Sequence, residues 1–307
     1  MQAGTINFFY TSIGSPDVFV AKYNTATNTV APSTAIGFSP QGADGIIAGP
    51  TIAGTPSLFV AGELGDDIFQ LPITGGAVDS LGTTGTSAFL LAENPAGTTL
   101  FNENNAGIIT TLPITGGLIS ANGTEHTVTG ADTNVSQLVW GMQPVGPVYY
   151  VTGGPGTNGD LGTINLSTFV TTQLFANITT AQDAVFDPFT GLIVLFGQGS
   201  IDTFNPVTNT LGTPVTLQSS CGTTQFTTGA VDGSGQALIA TCGNLYYVNY
   251  SGTGNILTGA VQSTTLGGVK DLAIFPTTSV PEPSTGAFLL GGLALLGMGA
   301  PLRYNRG

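Results

Sequence analysis

The sequence predicts an all-β fold, a six-bladed β-propeller, from three observations. Apolar and β-favouring residues are abundant while charged residues make up only 7% of the chain, a composition typical of a packed β protein. A unit of short apolar strands recurs six times at a spacing of about 45 residues, as the blades of propellers do. The two ends of the array complement each other, which predicts a closed ring. Seven blades is the main alternative.

Each unit contains a first apolar strand, a turn, a second strand, a polar Gly-rich loop and a third strand. The first strands are Gly45–Ala48, Ala88–Leu91, Leu138–Gly141, Ala184–Asp187, Ala230–Asp232 and Leu272–Phe275. The second strands include Ser57–Ala61, Thr98–Phe101, Pro147–Thr152, Leu192–Phe196 and Gln236–Thr241. The third strands include Asp67–Pro72, Ile108–Pro113, Gly162–Leu166, Ser200–Asn205 and Asn244–Asn249. Residues 71–76 and 112–117 share one hexapeptide, which supports the repeat.

The ends of the array predict how the ring closes. The sixth unit has a first strand at 271–276 and then stops, whereas the N-terminus begins with what looks like a second strand, Asn7–Thr11, followed by Asp17–Tyr23. We expect the C-terminal strand to complete the N-terminal blade, because this pairing leaves the ring without an open end.

The repeats resemble the broad NHL, YVTN and WD40-like group of propellers, although they carry no specific motif such as the WD dipeptide. A right-handed β-helix is the alternative fold for a chain rich in Gly, Asn and Thr. Its turns are shorter and it needs no split repeat, so the propeller is favoured.

The charge of the repeat region limits its partners. Residues 1–280 carry 2 basic and 16 acidic side chains, a net charge of −14. Nucleic acid and anionic lipid are excluded as partners, because both require basic patches. The negative charge permits cation binding. A role in solubility and in preventing aggregation is the favoured explanation of that charge.

The C-terminal tail predicts a separate membrane segment. Residues 286–302 carry no charge, and a helix of this length spans roughly 25 Å, a slightly short match to a hydrocarbon core of about 30 Å. Arg303 and Arg306 follow it and would hold the C-terminus on the cytoplasmic side. A C-terminal core helix is disfavoured, because the segment has no polar face. We therefore divide the chain into a propeller (1–276), a linker (277–285), a transmembrane helix (286–302) and a basic cytoplasmic end (303–307).

A short motif precedes this segment: Val280, Pro281, Glu282 and Pro283. The two prolines hold Glu282 in an extended, solvated backbone that a processing enzyme can bind. Motif, apolar segment and terminal arginines together resemble the PEP-CTERM sorting signal. The resemblance implies an exported protein of a Gram-negative bacterium, recognised by an exosortase-type membrane transpeptidase. It also implies transient anchoring in the inner membrane and a final location in the envelope or outside the cell, where exopolysaccharide or another surface component is the expected contact.

The N-terminus departs from that family. Its members normally begin with a secretory signal peptide, and residues 1–6 have neither a basic start nor a long apolar run. We expect the signal peptide to be missing from this sequence, because the gene start is misplaced or the sequence was trimmed. Export by another route is the alternative.

Three aspartates, Asp44, Asp183 and Asp271, occupy the same place, just before the first strand of a unit. Gln137 and Thr228 take that place in two other units. The repetition predicts a ring of oxygens at the mouth of the central channel, which could hold Ca²⁺ or a polar ligand. The alternative, which we favour, is that these side chains accept hydrogen bonds from backbone amides at strand starts.

A second polar cluster is expected in loops on that same face, after two of the second strands. It consists of Glu63, Asp66, Asp67, Asn102, Glu103, Asn104 and Asn105.

The two cysteines, Cys221 and Cys242, lie in loops that a propeller places on one face. An exported protein permits a disulfide there. We predict a bridge that stabilises the fold by roughly 3 kcal/mol on the loop-entropy estimate, and two free thiols in mass spectra of the native exported protein would contradict it. Two separate buried cysteines are the alternative.

No catalytic residue is predicted. The single histidine, His126, is expected on an outer strand or loop, and neither a nucleophile elbow nor zinc-type Cys/His spacing occurs. Two functions therefore remain: a non-enzymatic binding or structural module of the envelope or matrix, which is favoured, and a Ca²⁺-dependent lactonase-like hydrolase that uses the acidic mouth. The chain matches no lactonase motif residue by residue, and Ca²⁺ is the one cofactor that the pattern allows.

Overall fold

The computed structural model describes residues 4–38, 42–78, 80–85, 87–104, 106–140, 147–154, 156–218 and 227–275. The expected linker, sorting motif, transmembrane helix and basic end lie outside the described residues, as does Cys221. Within the described ranges, none of the helices is both long and apolar enough to cross a membrane.

The strands before residue 131 follow one another with short connections. In chain order they are β1 (Thr5–Ser12), β2 (Asp17–Asn24), β3 (Thr29–Val30), β4 (Thr34–Phe38), β5 (Ala43–Ile52), β6 (Thr55–Gly62), β7 (Asp67–Pro72), β8 (Ser80–Thr83), β9 (Leu90–Glu93), β10 (Thr99–Glu103), β11 (Ile108–Thr115), β12 (Leu118–Ile119), β13 (Thr124–Thr127) and β14 (Thr129–Gly130).

The later strands continue the pattern, with one 3-10 turn at Ile256–Thr258. They are β15 (Gln137–Trp140), β16 (Val148–Val151), β17 (Gly159–Asn165), β18 (Val170–Ile178), β19 (Asp183–Asp187), β20 (Leu192–Gly197), β21 (Ser200–Asn205), β22 (Thr210–Leu211), β23 (Val215–Thr216), β24 (Thr227–Val231), β25 (Gln236–Thr241), β26 (Asn244–Asn249), β27 (Ala260–Thr265) and β28 (Val269–Ala273).

These strands form six sheets, the six blades of a β-propeller. Blade I contains β28 and β1–β4, blade II β5–β8, blade III β9–β13, blade IV β14–β18, blade V β19–β23 and blade VI β24–β27. The innermost strands β28, β5, β9, β15, β19 and β24 contact one another in this order, and β24 contacts β28 again. The prediction of an all-β, six-bladed propeller is thereby confirmed.

The ring closes as predicted. The C-terminal strand β28 pairs antiparallel with the N-terminal strand β1, so that Phe9 lies opposite Ala273 and Tyr10 opposite Leu272. Blade I is therefore built from both ends of the repeat array. The closure leaves no blade without its innermost strand.

The hydrophobic core is divided among the six blade interfaces. Each of six apolar clusters joins two neighbouring blades. Strand β20 shows why the sequence contains continuous apolar runs: Ile193 and Leu195 pack towards blade IV, whereas Val194 and Phe196 pack towards blade VI. Since successive side chains of a strand point to opposite faces, a sheet buried on both faces needs apolar residues at every position.

Candidate functional site

A channel runs through the centre of the ring between the innermost strands. Its volume is about 770 Å³. Because the innermost strand of each blade pairs on one side only, its other edge faces the channel. The walls are mainly apolar, and among the described residues that line them none is basic. The apolar lining includes Ile46, Ile47, Leu91, Leu138, Val139, Trp140, Val185, Phe186, Val231, Leu272 and Ile274.

Glycine allows the inner strands to approach one another around the channel. The amide of Gly45 in blade II donates to the carbonyl of Phe89, which precedes β9 of blade III, at 2.9 Å. A Cβ atom on Gly45 would lie 2.1 Å from that oxygen, closer than any side chain tolerates. The contact between these two blades therefore requires glycine here.

At one end of the channel, called here the mouth, two carboxyl groups meet at one hydroxyl. The Oγ1 atom of Thr228 lies 2.9 Å from Oδ2 of Asp183 and 2.7 Å from Oδ1 of Asp271. Thr228 belongs to blade VI, and the aspartates belong to the blades on either side of it. The structure thus brings together two of the three predicted aspartates, with the predicted threonine between them.

Backbone amides hold both carboxyl groups in place. Asp183 accepts from the amides of Ala184 at 2.6 Å and Gly229 at 3.2 Å. Asp271 accepts from the amides of Ile46 at 2.8 Å and Leu272 at 2.8 Å. Because Gly229 and Ile46 belong to the next blade in each case, the aspartates link blade V to VI and blade I to II. Accepting hydrogen bonds from backbone amides is the structural role that we favoured for these aspartates from the sequence.

At the mouth, a single hydroxyl proton is available to two carboxyl groups. A threonine hydroxyl has one proton to donate and can also accept hydrogen bonds. Because Thr228 contacts both carboxyl groups, its one proton satisfies one of them, and the other contact is favourable when that carboxyl is protonated and donates to the hydroxyl oxygen. The geometry therefore suits a carboxyl pair that shares one proton with the threonine.

The electrostatics of the mouth point the same way. Burial raises the pKa of Asp271 well above its usual range, and the nearby charge of Asp183 raises it further. Burial also raises the pKa of Asp183, against the hydrogen bonds from Thr228, Gly229 and Ala184 that lower it. Burial disfavours the charged form of a carboxyl, and a second carboxylate nearby adds repulsion.

The remaining predicted residues of the ring have other partners. The side-chain amide of Gln137 donates to the carbonyl of Leu91 at 3.1 Å, which links blade IV to blade III. Asp44 lies near the ion pair of Lys270 and Glu63. Burial raises the pKa of Asp44 to about 7, while Lys270 lowers it and Glu63 raises it.

The described residues contain no group of three or more His, Cys, Asp or Glu side chains arranged to hold a metal ion. Of the three residues of the predicted Ca²⁺ site, Asp183 and Asp271 share one hydrogen-bonded group, whereas Asp44 lies near the ion pair of Lys270 and Glu63.

Two residues that line the opposite end of the channel were not predicted from the sequence as lining residues. Glu93 ends β9 and Trp140 ends β15, and both contribute to the channel wall. Burial raises the pKa of Glu93 to about 7. Both are the last residue of an innermost strand. The last residues of these strands, and not only the first residues, therefore indicate which side chains line the channel.

The second predicted cluster is partly wrong. Asn102 and Glu103 are not in a loop but are the last residues of β10, and both are buried. Neither oxygen of Glu103 has a hydrogen-bond partner among the described residues. Burial raises the pKa of this carboxyl well above its usual range. Asn102 accepts a bond from the amide of Phe89 at 3.1 Å through its oxygen.

Two further predicted residues lie away from the channel wall. His126 is on the outer strand β13, as expected, and its ring stacks on Phe169 with the centroids 4.0 Å apart. Cys242 follows β25 in the turn before β26, with a positive φ of 52°. Because Cys221 lies outside the described residues, the disulfide stays a prediction.

Comparison with known proteins extends only to the fold. No protein-family model matches the chain, and no curated protein matches it. Among solved structures, a chain of a nidogen/laminin complex is similar with a TM-score of 0.58 and 14% identity, over 88% of this chain and 98% of that chain. The periplasmic gluconolactonase of Pseudomonas aeruginosa is similar with a TM-score of 0.54 and 12% identity, over 88% and 98%.

A putative 6-phosphogluconolactonase from Bacteroides uniformis is also similar, with a TM-score of 0.53 and 12% identity over 84% of this chain and 81% of that chain. One of these neighbours is named for a complex between proteins and two for lactone hydrolysis. At such low identity the three similarities establish the propeller fold and leave the activity open.

Proposed function

We propose that this chain is an exported propeller of the bacterial cell envelope or extracellular matrix that acts as a binding module through its central channel. The observation that supports it most is the channel itself: about 770 Å³ of mainly apolar space with a small number of convergent polar groups. Ligand sites in proteins commonly combine these two features.

Export and sorting are proposed from the tail. The motif of Val280, Pro281, Glu282 and Pro283, with Arg303 and Arg306 beyond the apolar segment, would be handled by an exosortase-type membrane transpeptidase.

A fractionation experiment tests the sorting proposal. The full chain, with an export leader, is produced in a bacterium that has an exosortase-type enzyme and in the same strain without it. We expect release from the inner membrane only when the enzyme is present and the motif is intact. Glu282→Ala should keep the protein in the membrane fraction, whereas the matched control Ser279→Ala should behave as the unchanged chain does. Equal release of Glu282→Ala would contradict the proposal.

A Ca²⁺-dependent lactonase-like hydrolase is the second candidate, supported by the acidic mouth and by the two lactonases among the structural neighbours. Against it, the described residues contain no group of three or more His, Cys, Asp or Glu side chains that could hold the ion. Thermal unfolding with and without millimolar Ca²⁺ separates the two candidates. The binding module predicts no Ca²⁺-dependent stabilisation, whereas a resident Ca²⁺ site would raise the melting temperature by mass action.

A further inference from the structure

The channel has a mainly apolar wall. Among its described lining residues, two carboxyl groups lie at the mouth and a third, that of Glu93, lies at the opposite end. The carboxyl groups of Asp183 and Asp271 are not surface charges, because they are fixed by amides from blades II and VI and by one shared hydroxyl. Such an arrangement is preorganised: the acceptors are already in place before a ligand arrives.

The carboxyl pair retains capacity to accept hydrogen bonds. When both are ionised, the two carboxyl groups offer about eight acceptor positions, and four amides and the one hydroxyl proton of Thr228 fill five of them. The unfilled acceptor positions belong to Asp183 and Asp271, and both of these residues line the channel. A ligand that reaches the mouth through the channel would therefore meet acceptors and no charged donor.

The charge around the channel selects among ligands. No basic side chain is among the described lining residues, and residues 1–280 carry a net charge of −14. An anionic ligand would be repelled and would find no partner. A neutral ligand could bind through its apolar surface alone, and a cation could in addition donate charge-assisted hydrogen bonds to the aspartates.

We infer that the channel binds amphipathic primary amines, with the ammonium group at Asp183 and Asp271 and the apolar part along the wall towards Trp140. An ammonium group supplies three donors from a compact charge, which suits two acceptors that face each other across Thr228. A metal ion is a poorer fit, since Ca²⁺ requires six to eight oxygen ligands and the described residues provide no metal-binding group of three or more acidic, His or Cys side chains. This inference rests on the proposed role of the channel as a binding site.

The chain contains its own reporter of occupancy. Its single tryptophan is Trp140, which lies in the channel wall. Intrinsic tryptophan fluorescence of the full chain therefore reports binding in the channel without a label.

The test compares three probes with the same apolar part: hexylamine, hexanol and hexanoate. Each is titrated into the full chain in detergent, with Trp140 fluorescence and calorimetry as readouts. We expect hexylamine to bind about tenfold more tightly than hexanol, because a hydrogen bond to a charged group contributes about 1.5–3 kcal/mol. Hexanoate should bind more weakly than either.

Conservative variants locate the ammonium group. Asp183→Asn and Asp271→Asn remove a carboxyl charge, keep one of the two oxygens that accept from the amides, and should weaken hexylamine binding about tenfold, while hexanol binding stays unchanged. Glu125→Gln, on the exposed part of the outer strand β13 and not in the channel lining, is the control and should bind hexylamine within about twofold of the unchanged chain. Circular dichroism confirms that each variant is folded.

Each other outcome overturns the inference in a recognisable way. If the three probes bind equally, or if the Asp variants keep full amine affinity, the channel is a binding site that does not select amines, and the proposed binding function stands. If none of the probes binds or alters Trp140 fluorescence, the amine site is wrong, and the sorting experiment alone decides the envelope role.

Discussion

Asp271, on the innermost strand of blade I, and Glu103, on the second strand of blade III, both have buried carboxyl groups. The two groups differ in their hydrogen-bond partners. Asp271 accepts from two backbone amides and contacts the hydroxyl of Thr228. Glu103 has no hydrogen-bond partner among the described residues. Burial raises the pKa of both. The contrast shows that burial alone says little about a carboxyl's role, because partners decide whether the group stabilises the fold or weakens it.

The largest expected effect is the loss of the Asp271 carboxyl. Asp271→Leu leaves the amides of Ile46 and Leu272 without their acceptor, so we expect the free energy of unfolding to fall by about 3 kcal/mol. Urea unfolding followed by circular dichroism measures the change. Asp271→Asn, which keeps an acceptor oxygen, should lose clearly less. Equal losses in the two variants would show that the hydrogen bonds do not hold the blades together.

The opposite sign is expected at Glu103. Glu103→Met has nearly the same length and removes both unpartnered oxygens, so the protein should gain about 1–2 kcal/mol at neutral pH. The control is Glu125→Met on the exposed strand β13, which should change stability by less than about 0.5 kcal/mol. A destabilised Glu103→Met would mean that the carboxyl has a partner or a role that the hydrogen-bond pattern does not reveal.

Stability should also depend on pH through several buried carboxyl groups. Burial raises the pKa of Asp44 and of Glu93 to about 7, compared with about 4 in an unfolded chain. Between these values the folded protein holds more protons on these two groups than the unfolded chain does, so their contribution to stability falls as the pH rises from about 4 to 7 and is constant above that. Melting temperatures at several pH values measure the slope. The double variant Asp44→Asn, Glu93→Gln should flatten it, and an unchanged slope would assign it to other groups.

The sequence predicted the fold more fully than the site. Repeat spacing and the split first blade were sufficient for blade number and ring closure, because each depends on the order of apolar segments alone. The third strand Asp67–Pro72 and the second strand Gln236–Thr241 have the bounds that the repeats indicated. The shared hexapeptide shows the limit: β7 ends at Pro72, whereas β11 continues through Thr115 and pairs with β12. The residues that follow each copy, and not the copy itself, decide where the strand ends.

The sequence predicted where the site residues lie in the repeat, but not which side chains they contact. Asp44, Asp183 and Asp271 share a place in the repeat, but Asp44 meets Lys270 and Glu63 while the other two meet Thr228. Lys270 and Thr228 come from neighbouring blades, and a repeat pattern within one chain does not specify which side chains face each other across an interface. Glu103 was expected in a loop because the predicted second strand ended at Phe101, whereas β10 continues to Glu103.

The most direct test of the channel as an amine site is a crystal structure of the chain grown with hexylamine. We predict electron density for the alkyl chain along the channel wall, with its nitrogen within hydrogen-bond distance of Asp183 and Asp271. An amine bound with its nitrogen at Glu93, or a channel that stays empty at saturating hexylamine, would contradict that prediction.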